Sequence, residues 1–311
     1  MENSKKGLIF GIIGIVFVGF QPIVAISKPS MLNAHISAAM TCLVEALIFL
    51  PLMIIELKKM NKNNLAQNVN TISLFHKLKK NLSLLIFIGL IFAINQIFFF
   101  VGYDMAGAIN GSLTQKTTVF FSMILGYLIL REKITKLQIF FSIVLFLGLA
   151  IGITQFFTLI ELSITILVGV IILLVISFLW MIGHSITKPI FTREEATPIQ
   201  IVFIRNFISG FILLISYLIF FPLDYRIWID AENLRFFLIM GFVYGSGLIC
   251  WYKTLSYLDI SKASTIFAPT PITSAIFASI FLGENFTVYH LIGVILVIAS
   301  IIVIVNQKTE N

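Results

Sequence analysis

The sequence predicts an all-α integral membrane protein with ten transmembrane helices in two inverted five-helix repeats. Three observations support this fold class. Only 11% of the 311 residues are charged and 59% are hydrophobic, whereas soluble domains carry about 25% charged residues. The apolar residues form long continuous runs, and the second half of the chain matches the first. The composition excludes both a water-covered globular surface and intrinsic disorder.

The apolar runs define most of the transmembrane elements directly. A helix needs about 20 mostly apolar residues to cross a bilayer. Stretches without Asp, Glu, Lys or Arg predict eight spans, at 7–27, 81–103, 137–160, 162–187, 206–223, 236–252, 263–283 and 285–307.

Two further spans follow if one internal charge is allowed in each. They cover 34–55 around Glu45 and 105–130 around Lys116, and the seventh span extends back to include Arg205. The runs are continuous and do not alternate, which excludes the strand period of a membrane barrel.

The distribution of basic residues predicts the orientation. Sixteen Lys and Arg residues lie in the loops on the side of the N-terminus, and three lie on the opposite side. Under the positive-inside rule, we expect a multi-pass protein of the cell membrane with both termini in the cytoplasm. The polar segment 56–80 is expected to be a cytoplasmic loop. The net charge of +7 therefore needs no nucleic-acid partner, and the oligomeric state stays open.

An internal repeat is visible at two offsets. Residues 26–29 (ISKP) match residues 186–189 (ITKP) at an offset of 160, and the same offset sets Glu45 opposite Arg205. Farther along, an offset of 152 relates Ser112, Thr118, Ser122, Ile124, Leu130, Glu132 and Thr135 to Ser264, Thr270, Ser274, Ile276, Leu282, Glu284 and Thr287.

The repeat predicts two units, 1–160 and 161–311, with five spans each. An odd number of spans makes the second unit enter the membrane from the opposite side, so the repeats are inverted. Inverted repeats are typical of transporters that work by alternating access.

The most distinctive segments resemble a known family. They read SKASTIFAPTP at 261–271 and LGE at 282–284, with AINGS at 108–112 and LRE at 130–132. In these motifs the chain resembles the EamA-type branch of the drug/metabolite transporter superfamily, over nearly its whole length.

The resemblance implies ten helices, export of small organic solutes and a central cavity lined mainly by spans one, three, four, six, eight and nine. Two positions depart from the family pattern. Glu45 stands where first repeats of the family usually carry a basic residue, and Thr117 stands where the second repeat has Pro269.

Lys116 is the first candidate for substrate binding. Charged residues inside membrane spans are costly and often functional. Phe120, Met123 and Tyr127 follow Lys116 at helical spacing, so we expect Phe120 and Tyr127 to hold the apolar part of a substrate whose anionic group binds the ammonium. An ion pair with Glu45, or snorkelling of the lysine stem, remains the structural alternative.

Glu45 and Arg205 are candidates for ion coupling or for an ion pair. The equivalent places in spans two and seven allow a reciprocal salt bridge, and Glu45 could also carry a proton. Arg205 lies about seven residues inside its span, so we expect its side chain to snorkel to the headgroups.

Polar and aromatic residues of spans one, three, six and eight are expected to complete the site. Amides inside a membrane need hydrogen-bond partners, and several aromatic residues share a helical face with them. The alternative for each is helix packing or an interfacial aromatic belt. The predicted substrate-binding set comprises Gln21, Gln96, Phe99, Tyr103, Trp180, His184, Tyr244 and Trp251.

Residues near the span ends receive structural interpretations. Glu132 and Glu284 each precede a threonine and an apolar run, so we expect them to cap the helix that follows, with gating as the alternative role. Lys28 is expected to anchor the end of span one in the headgroups. Pro269 and Pro271 are expected to break span nine and form a hinge.

Among function classes, a secondary transporter that exports amino acids or related metabolites is therefore preferred over an enzyme. The four histidines are scattered, and Cys42 and Cys250 form neither a disulfide framework nor a zinc pattern, so we expect no metal and no cofactor. The chain has no P-loop motif for nucleotide-driven transport. A multidrug or amine efflux transporter is the alternative, and an intramembrane enzyme a more distant one.

Overall fold

The structure is a computed structural model that describes residues 2–66, 81–130, 133–155, 163–193, 195–222, 224–258 and 260–306. The regular elements of these residues are all helical. The first half contains α1 Glu2–Ile26, α2 Ala34–Ala66, α3 Leu82–Ala106, α4 Ala108–Thr114, a 3₁₀ helix Gln115–Thr117, α5 Thr118–Leu130 and α6 Lys136–Thr154. The second half contains α7 Ile164–Thr192, α8 Pro198–Phe220, α9 Arg226–Ile229, α10 Ala231–Tyr257, α11 Ile260–Phe267, α12 Thr270–Phe281 and α13 Val288–Asn306.

The described residues contain nine helical segments that are long and apolar enough to cross a membrane. The fourth predicted span is not among them, and it is divided into α4, the 3₁₀ helix and α5. The ninth span is also interrupted, at Ala268 and Pro269, between α11 and α12. The predicted all-helical membrane fold is confirmed, with nine such segments and one span in pieces where ten helices were expected.

The helices extend beyond the predicted spans. α2 continues to Ala66, so the prediction of a loop over 56–80 is wrong for its first part, and residues 67–80 lie outside the described part of the chain. α10 also starts before and ends after its predicted span of 236–252. The reason is physical: charge marks where the apolar section ends, whereas backbone hydrogen bonding continues once side chains reach water.

The helix contacts follow an approximate two-fold symmetry. α1 packs against α10, and its equivalent α7 packs against α3. α2 contacts α10 as α8 contacts α3, and α1 contacts α12 as α7 contacts α5. The equivalent pairs α2–α8 and α6–α13 pack against each other. This is the contact pattern that two inverted repeats predict, and it interlocks the two halves around a common centre.

Small residues allow the closest helix approach. A Cβ atom on Gly148 of α6 would lie 3.0 Å from the Gly293 carbonyl oxygen of α13, and one on Gly293 would lie 2.6 Å from the Gly148 carbonyl oxygen. Close backbone packing is a main source of helix association in lipid, where apolar burial drives little. The opposite helix faces present large apolar side chains outward, as at Phe220, which is 77% exposed.

Capping boxes define two helix starts. The Thr135 hydroxyl accepts a hydrogen bond from the Gln138 N–H, and the Gln138 side chain accepts one from the Thr135 N–H. Thr197 and Gln200 make the same pair at the start of α8. Each box satisfies two amide groups that the helix leaves unpaired. Glu132, which was expected to cap α6, lies outside the described residues.

Candidate functional site

A cavity of about 130 Å³ lies between the two halves. It is bordered by α1, α3, the 3₁₀ helix, α5, α7, α8, α10 and α11, which are the spans that the family resemblance implies together with span seven. The lining residues are Val18, Gln21, Phe92, Gln115, Lys116, Thr118, Val119, Trp180, Met181, His184, Arg205, Tyr244, Gly247, Leu248, Trp251, Ser264 and Phe267.

Both interrupted spans meet at this cavity. In the second repeat the break has a simple cause, because Pro271 has no N–H for the Phe267 carbonyl four residues earlier. The first repeat has no proline at the break. There the Thr117 hydroxyl donates to the Thr114 carbonyl oxygen at 2.8 Å, a side-chain bond that accompanies helix bending.

Lys116 connects the two breaks. Its Nζ donates a hydrogen bond to the Phe267 carbonyl oxygen at 2.8 Å, and both residues line the cavity. No ion pair joins Lys116 to Glu45 among the described residues, so the ion-pair alternative is not observed. The ammonium of the first repeat is held by a backbone carbonyl of the second.

Arg205 also faces the cavity. Its side chain is only 2% exposed, so the expectation that it snorkels to the headgroups is wrong. Two local contacts keep it inside. Its Nη2 donates to the Asn206 Oδ1 at 3.1 Å, and its guanidinium carbon lies 4.0 Å from the centre of the Phe92 ring, which is a cation–π geometry.

Glu45 lies behind this wall and does not line the cavity. It is fully buried in α2, and a Cβ atom on Gly245 of α10 would lie 2.7 Å from its Cγ. Neither carboxylate oxygen has a hydrogen-bond partner in the described residues. Arg205 and Glu45 form no ion pair among the described residues, so a closed reciprocal salt bridge is not observed.

Five of the predicted binding residues line the cavity with Lys116. They come from α1, α7 and α10 and are Gln21, Trp180, His184, Tyr244 and Trp251. Gln21 is oriented by a hydrogen bond of 3.3 Å from its Nε2 to the Tyr244 carbonyl oxygen. The His184 ring packs against the rings of Phe92 and Trp251 at 5.5 and 5.8 Å.

Three predicted residues of α3 lie one layer farther out. Gln96, Phe99 and Tyr103 are buried, but they do not line the cavity. The Phe99 ring contacts the lining residues Trp180 and Tyr244 at 6.0 and 5.5 Å. These α3 residues support the aromatic wall from behind.

Phe120 and Tyr127 are not brought to the cavity. Phe120 lines a separate apolar groove of about 500 Å³ on the outer surface of α5 and α6, and Tyr127 is 53% exposed. The predicted shared face with Lys116 assumes one continuous helix. The 3₁₀ turn at Gln115–Thr117 changes the rotation per residue, so the side chains after it point elsewhere.

The side chains that line the cavity carry buried hydrogen-bond donors. Within the described residues, several N–H donors of its lining have no partner, namely Gln115 Nε2, Trp180 Nε1, Arg205 Nη1 and Trp251 Nε1. None of the lining residues is Asp or Glu. Buried polar groups normally have a partner, so this cavity is suited to a ligand with several acceptor atoms and a negative charge.

The sequence reasoning missed Phe92 and Gln115. A usable signal for Phe92 existed, because the helical spacing that groups Gln96, Phe99 and Tyr103 extends back one turn to it. Gln115 stands next to Lys116, but its role depends on the 3₁₀ turn, which no local pattern indicates.

Glu284 makes a polar contact between the repeats at the start of span four, before the break at Gln115–Thr117. Its Oε1 and Oε2 accept hydrogen bonds from the N–H groups of Ala108 and Ile109 at 2.7 and 3.0 Å. Gly107 permits the approach with a φ of +79°, and a Cβ atom there would lie 3.3 Å from Oε1. The expectation that Glu284 caps the following helix is wrong: Thr287 holds that position through the His290 N–H at 3.3 Å.

Lys28 lies at the same end of the molecule. Its Nζ pairs with the Asp104 carboxylate at the end of α3. The expected role as a headgroup anchor is therefore replaced by an ion pair between α1 and α3. This ion pair and the Glu284 hydrogen bonds link helices at the same end of the bundle.

Comparison with known proteins decides the family. The model of the EamA-like transporter family matches the chain twice, over residues 5–154 and 162–306. The chain belongs to this family. The predicted family and transporter class are thereby confirmed.

Two relatives support the assignment. An uncharacterized transporter of Methanothermobacter thermautotrophicus is 28% identical over 216 residues, which cover 68% of this chain and 60% of the relative. An uncharacterized transporter of Clostridium kluyveri is 25% identical over 315 aligned positions, which cover 99% of this chain and 96% of the relative.

The fold of this EamA-like protein is also found in a crystal structure. The two structures superpose with a TM-score of 0.66 over 96% of each chain, at 10% sequence identity. At this identity the likeness concerns the fold alone.

Proposed function

We propose that this EamA-like protein is a secondary transporter of small organic solutes that carry a carboxylate, such as amino acids or related metabolites, and that it exports them. The observation that carries the proposal is the polarity of the cavity. Lys116 and Arg205 supply two cations, and Gln115, Trp180 and Trp251 supply N–H donors without partners in the described residues. A carboxylate offers acceptor atoms for such donors.

The aromatic part of the wall suits an apolar body on the same solute. The rings of Trp251 and Phe267 meet at 5.1 Å in an edge-to-face arrangement, and Trp180, Phe92 and Tyr244 complete an apolar surface around the cations. A volume of about 130 Å³ is below the roughly 300–1,000 Å³ of sites for drug-sized ligands. The size therefore favours a metabolite over a large drug.

The charge of the wall also bears on the amine-efflux alternative. A carboxylate in the site would favour a lipophilic cation, but Glu45 does not line the cavity. The two cations would instead repel an amine. We therefore favour an anionic or zwitterionic solute.

The positions of the cavity and of the contacts between repeats support the proposal of alternating access. We infer from the basic residues that both termini are in the cytoplasm of a cell-membrane protein. In that orientation Arg205, seven residues after the start of α8 at Pro198, belongs to the cytoplasmic half of the membrane. The Lys28–Asp104 and Glu284 contacts belong to the outer end. The cavity would then be closed on the outer side.

Glu284 is the proposed outer latch. It joins α12 of one repeat to the start of α4 of the other, so opening the outer side requires these two hydrogen bonds to break. The interruptions at Gln115–Thr117 and at Pro269 and Pro271 are the proposed hinges, because broken backbone hydrogen bonding lets the halves of each span bend.

Transport in proteoliposomes tests the proposal. Purified protein is reconstituted, and uptake of radiolabelled L-phenylalanine is measured against unlabelled competitors. We expect competition by 3-phenylpropanoate and none by 2-phenylethylamine. The Lys116→Ala variant should raise the apparent KM about tenfold or more, since a hydrogen bond to a charged group is worth about 1.5–3 kcal/mol. Lys133→Ala, at an exposed lysine outside the cavity, is the matched control. An unchanged KM for Lys116→Ala would remove this residue from the site.

A further inference from the structure

Pro271 has a consequence for Lys116 that follows from backbone chemistry. In a continuous helix the Phe267 carbonyl would accept the N–H of residue 271, four positions later. Proline has no N–H, so this carbonyl has no helical donor. It accepts two side-chain donors instead, the Thr270 Oγ1 at 2.6 Å and the Lys116 Nζ at 2.8 Å.

We propose that Pro271 is a positioning residue for substrate binding: it leaves the Phe267 carbonyl free to hold the Lys116 ammonium at the cavity. The inference rests on the proposed function and deepens it, because it names the group that prepares the cation for an anionic solute. Pro271 itself does not line the cavity and acts through Phe267 and Lys116.

The geometry allows the carbonyl and a substrate to share the ammonium. A lysine ammonium has three N–H donors, and among the described residues the Phe267 carbonyl is its hydrogen-bond acceptor. Two donors therefore remain for a carboxylate. Holding the long, flexible lysine side chain in place before the substrate arrives reduces the entropy lost on binding. The hydrogen bond between Lys116 and the Phe267 carbonyl, here called the tether, should therefore strengthen substrate affinity.

The tether also spans the two repeats. The offset of 152 makes Gln115 the equivalent of Phe267, and Lys116 the equivalent of Ala268. Lys116 thus binds the carbonyl of Phe267, the residue directly before its own equivalent, Ala268. Only the first repeat has a lysine at this position, because its equivalent in the second repeat is Ala268. A carbonyl freed by proline is therefore needed only in the second repeat, where it faces Lys116.

Two measurements test the role of Pro271, one that needs no solute and one that measures solute binding. The first is the rate at which the small uncharged reagent N-succinimidyl acetate acetylates Lys116, followed by mass spectrometry of the peptide. The second is the affinity for 3-phenylpropanoate. In Pro271→Ala the restored N–H competes with Lys116 for the Phe267 carbonyl oxygen, so we expect acetylation about tenfold faster and 3-phenylpropanoate binding about tenfold weaker.

Two other prolines separate this mechanism from general effects of Pro→Ala changes. Pro269→Ala restores an N–H toward the Thr265 carbonyl, four residues earlier, so Lys116 should be acetylated as slowly as in the parent protein. Pro51 is an exposed proline within α2, and Pro51→Ala should leave both measurements unchanged. Equal acceleration in Pro269→Ala and Pro271→Ala would overturn the inference.

A double-mutant cycle distinguishes positioning from misfolding. Once Lys116→Met has removed the ammonium, Pro271→Ala should cause no further loss of 3-phenylpropanoate affinity. An equal loss in both backgrounds would mean that Pro271 acts through the fold and would contradict the role proposed here. If 3-phenylpropanoate does not bind the parent protein at all, the proposed function fails, and the acetylation rates still decide the Pro271 role.

Discussion

The guanidinium of Arg205 lies 4.0 Å above the centre of the Phe92 ring. The contact joins α8 to α3 and keeps the guanidinium at the cavity. Without it, the arginine side chain is long enough to reach the headgroups. A cation–π contact of this kind contributes about 0.5–2 kcal/mol, more when it is desolvated. We therefore expect Phe92 to contribute to the proposed selection of an anionic solute, although it carries no charge.

Replacing Phe92 tests this relationship. Phe92→Leu keeps an apolar side chain and removes the ring face, so we expect 3-phenylpropanoate affinity to fall about fivefold at nearly unchanged stability. Binding is measured by isothermal titration calorimetry. Phe98→Leu changes an outward-facing phenylalanine of the same helix and serves as the control. Equal affinities of Phe92→Leu and the parent protein would show that Arg205 is held by other contacts.

The Glu284 latch predicts a change in accessibility. Glu284→Gln leaves one oxygen for two backbone N–H groups and removes the charge that strengthens both bonds. In a background without Cys42 and Cys250, we expect Gln21→Cys to react about tenfold faster with a membrane-impermeant thiol reagent added from outside when Glu284→Gln is present. Glu232→Gln, which changes an exposed acid in the first turn of α10, is the control and should leave the rate unchanged. A similar rate in both variants would argue against the latch.

The close approach of α6 and α13 predicts a stability effect. The space beside Gly293 is filled by the backbone of Gly148, whose carbonyl oxygen would lie 2.6 Å from a new Cβ. Gly293→Val should therefore destabilise the fold by about 1–3 kcal/mol, seen as a lower melting temperature in detergent. Ile295→Val, at a residue 57% exposed on the same helix, should melt as the parent protein does. A Gly293→Val variant of unchanged melting temperature would mean that the helices are farther apart.

The fold was accessible from the sequence because membrane spans are local features. A run of apolar residues predicts a helix without knowledge of its neighbours, and the two offsets relate equivalent spans directly. The helix ends were less accessible. α2 continues to Ala66, past the charges that end its apolar run, because backbone hydrogen bonding does not stop where polarity begins.

The site was only partly accessible. Lys116 interrupts an apolar run and was found for that reason, but its partner is the backbone oxygen of Phe267, and a backbone atom leaves no pattern in side-chain identity. Glu284 shows the same limit. Its neighbour Thr287 has a local capping signature, whereas its own partners Ala108 and Ile109 belong to the other repeat.

The most direct test of the proposed binding chemistry compares three ligands that differ in charge around one phenyl group. The melting temperature of the purified protein is measured with 3-phenylpropanoate, L-phenylalanine and 2-phenylethylamine. We expect the anion and the zwitterion to stabilise the parent protein and the amine to have no effect, and we expect Lys116→Met and Arg205→Leu to abolish the stabilisation. Stabilisation by 2-phenylethylamine alone would contradict a cavity that binds carboxylates through Lys116 and Arg205.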